Sequence, residues 1–285
     1  GLMVRNWQDE LVDVRFAEKA ISFIDKHMAT HPDQPFFLYL VPSAPHRPCV
    51  PPDFLRGASQ AGPRGDMVAM VDWMVGQVDE ALRRHRIVDK TLLVVTSDNG
   101  ARVTNYDGND YGHKSCGDLG GQKADIWDGG HREPFVARWP GHIAPGTVSE
   151  ALICLSDLMA TCAEIVGFPL PADAAQDSFS FLPALLGRPG SQSIREAVVH
   201  HSGAGMFSLR RGPWKLILGL GSGGFSEPRC EHPQPGGPLG QLYNMEEDWR
   251  ESGNLWLRHP EIVAELTALL ESYYRQGYSR PGAQS

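Results

Sequence analysis

The feature that most constrains the fold of this chain is a run of six β-prone residues, Thr91–Thr96, without polar alternation. Such a strand is expected to be buried on both faces, as the strands of parallel sheets are. The run ends at the sequence SDNG, residues 97–100, so Asp98 and Asn99 lie at the carboxyl end of the predicted strand. In open α/β sheets, this is the edge at which ligands bind.

Amphipathic helices precede two continuous apolar segments. Apolar residues recur at helical spacing in Asp13–Met28 and in Gly65–Ile87. The first predicted helix, which Asp13 is expected to cap, leads into a second apolar strand predicted at Phe36–Val41. The second helix leads into Thr91–Thr96. This repeated order predicts an α/β fold with a mostly parallel sheet between helices.

The carboxyl-terminal part of the chain has a different pattern. A proline-rich stretch, Phe168–Gly190, suggests a boundary between residues 1–190 and 191–285. Before it, the patterns predict a strand at Phe135–Trp139 and a helix at Leu155–Val166, capped by Ser156 or Asp157 and stopped by Gly167. After it, short strands are predicted at Glu196–His201, Met206–Arg210, Trp214–Leu218 and Gln241–Asn244, and a helix at Pro260–Tyr274. The second part is therefore predicted to be a small antiparallel sheet with a closing helix.

Composition excludes some classes of function. The 285 residues carry a net charge of −8, which argues against a nucleic-acid surface because such a surface needs a basic patch. No apolar run reaches the length of a membrane span. The cysteines form no C-x-x-C pair, so no zinc signature is present. An anionic ligand would need locally placed cations.

Two groups of polar residues suggest a chemistry for the strand end. The Asp98 carboxylate and the Asn99 amide oxygen are hard ligands, suited to calcium or magnesium and poor for zinc. Lys123 precedes Gly129-Gly130, a pair that allows close backbone approach, and its ammonium is a natural partner for an oxyanion. The blander alternatives are an ordinary turn at residues 97–100 and a surface ion pair of Lys123 with Asp125 or Asp128.

Two loops carry further candidate residues. Residues 42–52, PSAPHRPCVPP, form a stiff proline-rich loop after the predicted strand Phe36–Val41. His46 lies in this loop, which is expected at the same sheet edge as Asp98. The polar, glycine-rich stretch Ala101–Gly121 is a long loop of the kind that is usually functional, and His113 is a candidate substrate contact in it.

Three motifs together resemble the sulfatase family of the alkaline-phosphatase-like superfamily, most closely its arylsulfatase type. They are PHRP at residues 45–48, SDNG at 97–100 and GQKADIWDGGHREP at 121–134. The resemblance implies a partial alkaline-phosphatase-like fold in which Asp98 and Asn99 bind Ca²⁺, with Mg²⁺ less favoured. It also implies that His46 and Lys123 bond the sulfate oxygens and assist departure of the leaving group.

The nucleophile motif of the family is not found in this chain. The family uses C-x-P-x-R or S-x-P-x-R, whose Cys or Ser is oxidised to formylglycine, and no cysteine here begins such a motif. Ser43 begins a loose match, SAPHR, but the chain continues as CVPPDF, which cannot open the helix that the motif requires. The chain is therefore expected to be the carboxyl-terminal portion of a sulfatase, with formylglycine upstream of Gly1, and to be inactive alone.

The resemblance implies calcium-assisted hydrolysis of a small-molecule or carbohydrate sulfate ester. The alternatives are a phosphodiester or phosphonate hydrolase of the same superfamily and a non-catalytic oxyanion-binding fragment. The residues upstream of Gly1 would distinguish them, since formylglycine favours sulfate esters and threonine or serine favours phosphate esters. A periplasmic, extracellular or lysosomal localisation is expected from the resemblance.

Overall fold

The computed structural model describes residues 5–103, 109, 111–188, 190 and 193–284. The chain is organised as two compact units. The first comprises Gly1–Leu93 and Thr104–His113, and the second comprises Val94–Val103 and Lys114–Ser285. The sequence-based boundary between residues 190 and 191 remains a prediction, because residues 191 and 192 lie outside the described part of the chain.

In the first unit, helices α1 (Val12–Thr30) and α2 (Gly62–Arg84) pack against each other. Their apolar stripes form the buried cores of the unit. The buried residues are Ala17, Ala20 and Ile24 of α1, and Met67, Met70, Met74, Val78, Ala81 and Leu82 of α2. Full burial of one large aliphatic side chain contributes about 1.5–3 kcal/mol, so this packing is the main stabilisation of the unit. Both predicted helices are confirmed.

The prediction of a continuous buried strand at Phe36–Val41 is wrong. Leu38 and Leu40 pack against the helical cores, whereas Phe37 and Tyr39 are each 77% exposed. Among the residues that the structure describes, this segment belongs to no strand. The physical reason is that the helices of the unit cover one face of the segment, and no strand within the described ranges pairs with its backbone groups.

Strand β1 (Leu93–Thr96) pairs with β2 (Phe135–Arg138) in a two-stranded sheet. The predicted strands are present, but the expected burial of β1 on both faces is wrong. Its residues are half-buried and Thr96 is exposed. A strand is buried on both faces only when other elements cover both, and in β2 Val136 is likewise 64% exposed.

Short helices follow β1 in the second unit: α3 (Asp128–His131), α4 (Leu158–Ile165) and α5 (Leu182–Leu185). A 3₁₀ turn, Leu155–Asp157, leads into α4, and the two together span most of the helix predicted at Leu155–Val166. Asp157 lies at the N-cap of α4, but the predicted side-chain cap is not formed. Gly167 follows the helix with a φ of 68°, a left-handed conformation that favours glycine and ends the helix. No helix in the described residues is long and apolar enough to cross a membrane.

The second unit ends in the predicted antiparallel sheet and closing helix. Strands β3 (Val198–His201), β4 (Phe207–Arg211), β5 (Trp214–Ile217) and β6 (Gln241–Asn244) are neighbours in that order, and helix α6 (Pro260–Gln276) follows them. Leucines from both elements form their common core: Leu209, Leu216, Leu242, Leu266 and Leu270. Because strand positions alternate between faces, the leucines on neighbouring strands meet on the face that α6 covers. The predicted α/β fold class is thus present in the chain.

A buried ion pair joins the start of α4 to the segment before β3. Arg195 Nη1 donates to both carboxylate oxygens of Asp157, at 3.0 and 2.9 Å, and the two side chains are 3% and 0% exposed. Asp157 also accepts from the backbone amides of Cys154 and Phe179, at 2.7 and 2.9 Å. The carboxylate therefore connects three segments of the second unit.

Replacing Arg195 with methionine is expected to lower the free energy of unfolding by about 3–5 kcal/mol, because the Asp157 carboxylate would stay buried without its cation. Urea unfolding followed by circular dichroism measures the change. Arg188→Met is the matched control, since Arg188 lies 3.7 Å from Glu164 and their side chains are 53% and 38% exposed. The control is expected to cost less than about 1 kcal/mol, and equal losses in both variants would contradict the prediction.

Candidate functional site

Asp98 and Asn99 follow β1 directly, as the sequence predicts. Asp98 is exposed, and within the described part of the chain no hydrogen bond or ion pair engages its carboxylate. Asn99 is half-buried, and its Nδ2 donates to the Gly100 carbonyl at 3.1 Å, which leaves the amide oxygen available as a ligand. The Ser97 hydroxyl donates to the Asn99 carbonyl at 3.0 Å and closes the turn. The predicted turn and the predicted ligands are thus compatible.

The next residue, Gly100, connects this turn to helix α3. Its amide donates to the Gly130 carbonyl at 2.9 Å. A side chain at position 100 would collide with the backbone of Gly129, so the contact requires glycine. The carboxyl end of β1 is therefore fixed to the glycine pair by direct backbone contact.

The glycine pair itself packs against the loop that carries Lys123. The Gly129 amide donates to the Gly120 carbonyl at 2.7 Å, and a side chain at 129 would collide with the carbonyls of Gly120 and Gly121. At Gly130, a side chain would meet the carbonyls of residues 122 and 125. The sequence predicts a close backbone approach at this pair, and the backbone approached is that of residues 120–125.

The backbone of Lys123 and Ala124 is held on two sides. Its amide donates to the Ala101 carbonyl at 2.9 Å, which places the lysine beside the turn that carries Asp98 and Asn99. On the other side, the carbonyl of Ala124 accepts from the amide of Gly203 at 2.8 Å. The loop position of Lys123 is therefore set by main-chain bonds that do not depend on its side chain.

Asp125 is fully buried beneath the same loop and holds it in place. Its carboxylate accepts from the amides of Gln122, Phe225 and Ser226, at 2.9, 2.6 and 3.0 Å. These bonds occupy the carboxylate with backbone donors, so Asp125 orients the loop and forms no ion pair with Lys123. Among the residues that the structure describes, no ion pair or hydrogen bond engages the Lys123 ammonium.

The other candidate partner of Lys123, Asp128, is engaged by Lys215 of β5. The Lys215 ammonium lies 2.8 Å from Asp128 Oδ1 and 2.7 Å from Glu251 Oε1, and its side chain is 0% exposed. Arg210 lies 3.5 Å from Asp128 Oδ2. Although burial opposes it, the positive charges of Lys215 and Arg210 hold the pKa of Asp128 below its ordinary value. Burial raises the pKa of Glu251 to about 7 against the effect of Lys215.

Two imidazoles lie beside this cluster. The rings of His131 and His200 are 4.3 Å apart between centroids. Burial, with the positive charge of Lys215, lowers the pKa of His131 to about 4 and that of His200 well below its ordinary value. Both side chains are therefore neutral at physiological pH.

Lys215 was not identified from sequence. A signal was present, because a lysine inside a predicted strand of apolar residues, WKLIL, suggests a buried cation. A buried lysine requires a carboxylate partner, and Glu251 and Asp128 are that partner set. Neither residue is close to Lys215 in sequence, so the pattern alone names no partner.

His46 lies in the first unit, in the loop after Phe36–Val41. It is exposed, and its Nδ1 donates to the Arg47 carbonyl at 2.9 Å, which leaves Nε2 available. The loop is held by Asp13, which is 3% exposed and accepts from the amides of Ser43 and Ala44 at 2.7 and 2.9 Å. The prediction that Asp13 caps α1 is wrong, since it lies inside the helix and its carboxylate serves this loop.

Ser43 and His113 complete the set of sequence candidates. The Ser43 hydroxyl donates to Asp13 at 3.0 Å, which agrees with its interpretation as a loop residue. His113 is exposed in the first unit, and the preceding residues 104–108 and 110 of its predicted loop lie outside the described residues. The convergence of His46 with Asp98, Asn99 and Lys123 in one crevice remains a prediction, because His46 belongs to a different unit from the other three residues.

The donor set at the end of β1 is suited to a hard cation. Asp98 and Asn99 provide two oxygens without competing partners, and the half-buried Glu133 lies within electrostatic reach. Burial, together with the negative charges of Asp98 and Asp128, raises the pKa of Glu133 to about 7. In the described residues, no group of three or more His, Cys, Asp or Glu side chains is arranged to hold a metal ion. The two oxygens fit calcium as part of a ligand set of six to eight.

The sequence of this chain is similar to those of known sulfatases. A sequence profile described as Sulfatase matches residues 4–168. N-acetylgalactosamine-6-O-sulfatase of Bacteroides thetaiotaomicron is 34% identical over 284 residues, covering 93% of this chain and 52% of that protein. Steryl-sulfatase of Rattus norvegicus is 35% identical over 284 residues, covering 91% of this chain and 48% of that protein.

The fold is shared with a solved structure. A structure from work on the metabolism of multiple glycosaminoglycans by Bacteroides thetaiotaomicron superposes with a TM-score of 0.81 and 32% identity. The superposition covers 93% of this chain and 55% of that chain. The predicted alkaline-phosphatase-like α/β fold class is confirmed, and the chain spans about half the length of the relatives that it matches.

Replacing Gly129 with alanine is expected to lower the free energy of unfolding by about 1–3 kcal/mol, because its methyl group would overlap two backbone carbonyls that cannot move independently. The control is Gly76→Ala on α2, where a methyl group meets no atom within 4 Å. That change is expected to stabilise the protein by about 0.5–1 kcal/mol, because alanine favours a helix. Chemical unfolding measures both, and a neutral Gly129→Ala variant would contradict the packing argument.

Proposed function

Because the chain belongs to the sulfatase family, we propose that it supplies part of the active site of a sulfuric-ester hydrolase. The observation that carries the proposal is the Lys123 ammonium, which has no ion-pair partner in the described residues although the backbone of residues 123 and 124 is fixed on two sides. A fixed cation without a carboxylate partner is suited to an anion such as a sulfate ester. Preorganised charge of this kind is usually the largest single contribution to catalysis.

Asp98 and Asn99 are the proposed calcium ligands within this chain. The carboxylate and the amide oxygen would hold the ion, which would supply positive charge beside the sulfate group. Mg²⁺ is less favoured, because it requires near-ideal octahedral geometry. The nucleophile, a formylglycine, is proposed to come from a segment outside these 285 residues.

His46 is the proposed proton donor to the leaving oxygen, and Lys123 is the proposed ligand of the sulfate oxygens. Because His46 Nδ1 is occupied by the Arg47 carbonyl, the ring presents Nε2 to solvent. A protonated Nε2 placed at the ester oxygen would deliver its proton as the sulfur–oxygen bond breaks. Lys123 would stabilise the negative charge that develops in the same step, and the exposed His113 is a proposed substrate contact.

A sulfated carbohydrate is the proposed substrate class. Several similar proteins are named N-acetylgalactosamine-6-sulfatases, among them the bacterial relative that covers 93% of this chain. Steryl-sulfatase is as similar in identity, so the proposal of a carbohydrate rests on the names of several relatives and not on identity alone. For a carbohydrate substrate, we propose a periplasmic, extracellular or lysosomal localisation.

The proposed reaction is tested with the full-length protein and three substrates: a chromogenic aryl sulfate, N-acetylgalactosamine-6-sulfate and an aryl phosphodiester. Sulfate-ester hydrolysis that is lost with a calcium chelator and restored by Ca²⁺ is expected, because Asp98 and Asn99 supply hard oxygen ligands. Residues 1–285 alone are expected to give no turnover. Hydrolysis of the phosphodiester without hydrolysis of either sulfate would contradict the proposal.

Lys123→Ala in the full-length protein is expected to lower kcat by roughly a hundredfold or more, about 3 kcal/mol, with little change in thermal stability. Lys123→Arg is not expected to restore the rate, because a planar guanidinium does not replace a compact ammonium. The control is Lys90→Ala, which removes an exposed lysine and is expected to leave the rate unchanged. Near-normal turnover of a folded Lys123→Ala protein would remove Lys123 from the catalytic residues.

A further inference from the structure

We propose that Lys215 is a positioning residue for the Asp98–Gly100 turn and for the Lys123 loop. It acts from β5 through its ion pairs with Asp128 and Glu251, which fix helix α3. The inference that these segments serve catalysis rests on the proposed function. The inference that Lys215 holds the turn and the loop in place rests only on contacts within the second unit.

The Lys215 ammonium is buried beneath the antiparallel sheet, between two carboxylates. Lys215 lies in the middle of the antiparallel sheet, opposite Arg210 of β4 and Tyr243 of β6. Its ammonium is completely buried and contacts two carboxylates at 2.8 and 2.7 Å. Burial of a lysine is unfavourable unless it is paired, so the sheet itself gains little from this residue that an apolar side chain would not provide.

Lys215 and Glu251 together bind the first residue of α3. Asp128, the first residue of α3, is bound to Lys215 through its carboxylate. Its backbone amide donates to Glu251, whose other oxygen contacts Lys215. Both the side chain and the main chain of Asp128 are therefore fixed by the same cluster. With only four residues, α3 has little helical bonding of its own to set its position.

Two backbone hydrogen bonds connect α3 to the candidate site. Gly130 accepts from the amide of Gly100, and Gly129 donates to the carbonyl of Gly120, at 2.9 and 2.7 Å. The first bond holds the turn with Asp98 and Asn99, and the second holds the start of the Lys123 loop. A shift of α3 would therefore displace the calcium ligands and the sulfate ligand together.

A purely structural role for Lys215 makes a different prediction. If the cluster only stabilised the sheet, its loss would loosen β4, β5 and β6 first. If the cluster positions α3, its loss would speed hydrogen exchange at residues 98–101 and 120–130, while the amides of the sheet would stay protected from exchange. The core on the α6 side of the sheet is formed by leucines that do not belong to the cluster, so the two outcomes are separable.

The test uses hydrogen exchange of the full-length protein with Lys215→Met and with the triple variant Lys215→Met, Asp128→Asn, Glu251→Gln. The triple variant removes all three buried charges of the cluster, and the Arg210 side chain is still 24% exposed to solvent, so this variant is expected to fold even if the single variant does not. Exchange at residues 98–101 and 120–130 is expected to be about tenfold faster in whichever variant folds, with β3 to β6 unchanged. Affinity for Ca²⁺, measured by calorimetry, is expected to fall in parallel.

Arg211→Met is the matched control, because Arg211 lies on β4 of the same sheet and pairs with Glu265 at the surface. It is expected to leave exchange and Ca²⁺ affinity unchanged. Faster exchange in the sheet with residues 98–101 unaffected would overturn the proposal. The proposed function fails separately, if the wild-type protein hydrolyses no sulfate ester, and that result would leave the exchange result valid.

Discussion

Direct backbone contact at glycine residues is the constraint on which the rest of the candidate site depends. Gly129 and Gly130 lie against the carbonyls of residues 120–125, and Gly100 lies against Gly129. Since no side chain separates these segments, their amides and carbonyls reach hydrogen-bonding distance. The end of β1 and the loop of Lys123 are thereby brought together by main-chain contacts, and their charged side chains are left for other partners.

Charge in this acidic chain is divided between structural and available groups. Lys215 is engaged by Asp128 and Glu251, and Arg195 is engaged by Asp157, all in buried pairs. Lys123 has no such partner in the described residues, and Asp98 has none either. An anionic substrate on a chain of net charge −8 requires a cation that the fold does not use. The buried pairs also remove carboxylates that would otherwise compete for Lys123.

Local patterns were sufficient for most of the secondary structure and insufficient for burial. The helices α1, α2 and α6 and the strands of the antiparallel sheet lie close to the predicted bounds, because their apolar periodicity is a local property. The predicted strand at Phe36–Val41 and the predicted burial of β1 on both faces are wrong, because pairing and burial depend on which elements lie beside a segment. Asp13 was expected to cap its own helix, yet its partners at Ser43 and Ala44 are 30 and 31 residues away.

The sequence by itself determined the motifs, the order of most elements and the position of the two proposed ligands, Asp98 and Asn99, at the end of β1. It also indicated that Lys123 had a choice between an ion pair with Asp125 or Asp128 and a role in binding an anion. Anion binding by Lys123 remains a proposal. The tertiary structure leaves Lys123 without either ion pair in the described residues, since the Asp125 carboxylate accepts from amides up to 101 residues away and Asp128 binds Lys215, 87 residues away. The reason is that charge interactions depend on distance through space, which sequence spacing does not specify beyond a helical turn or a strand pair.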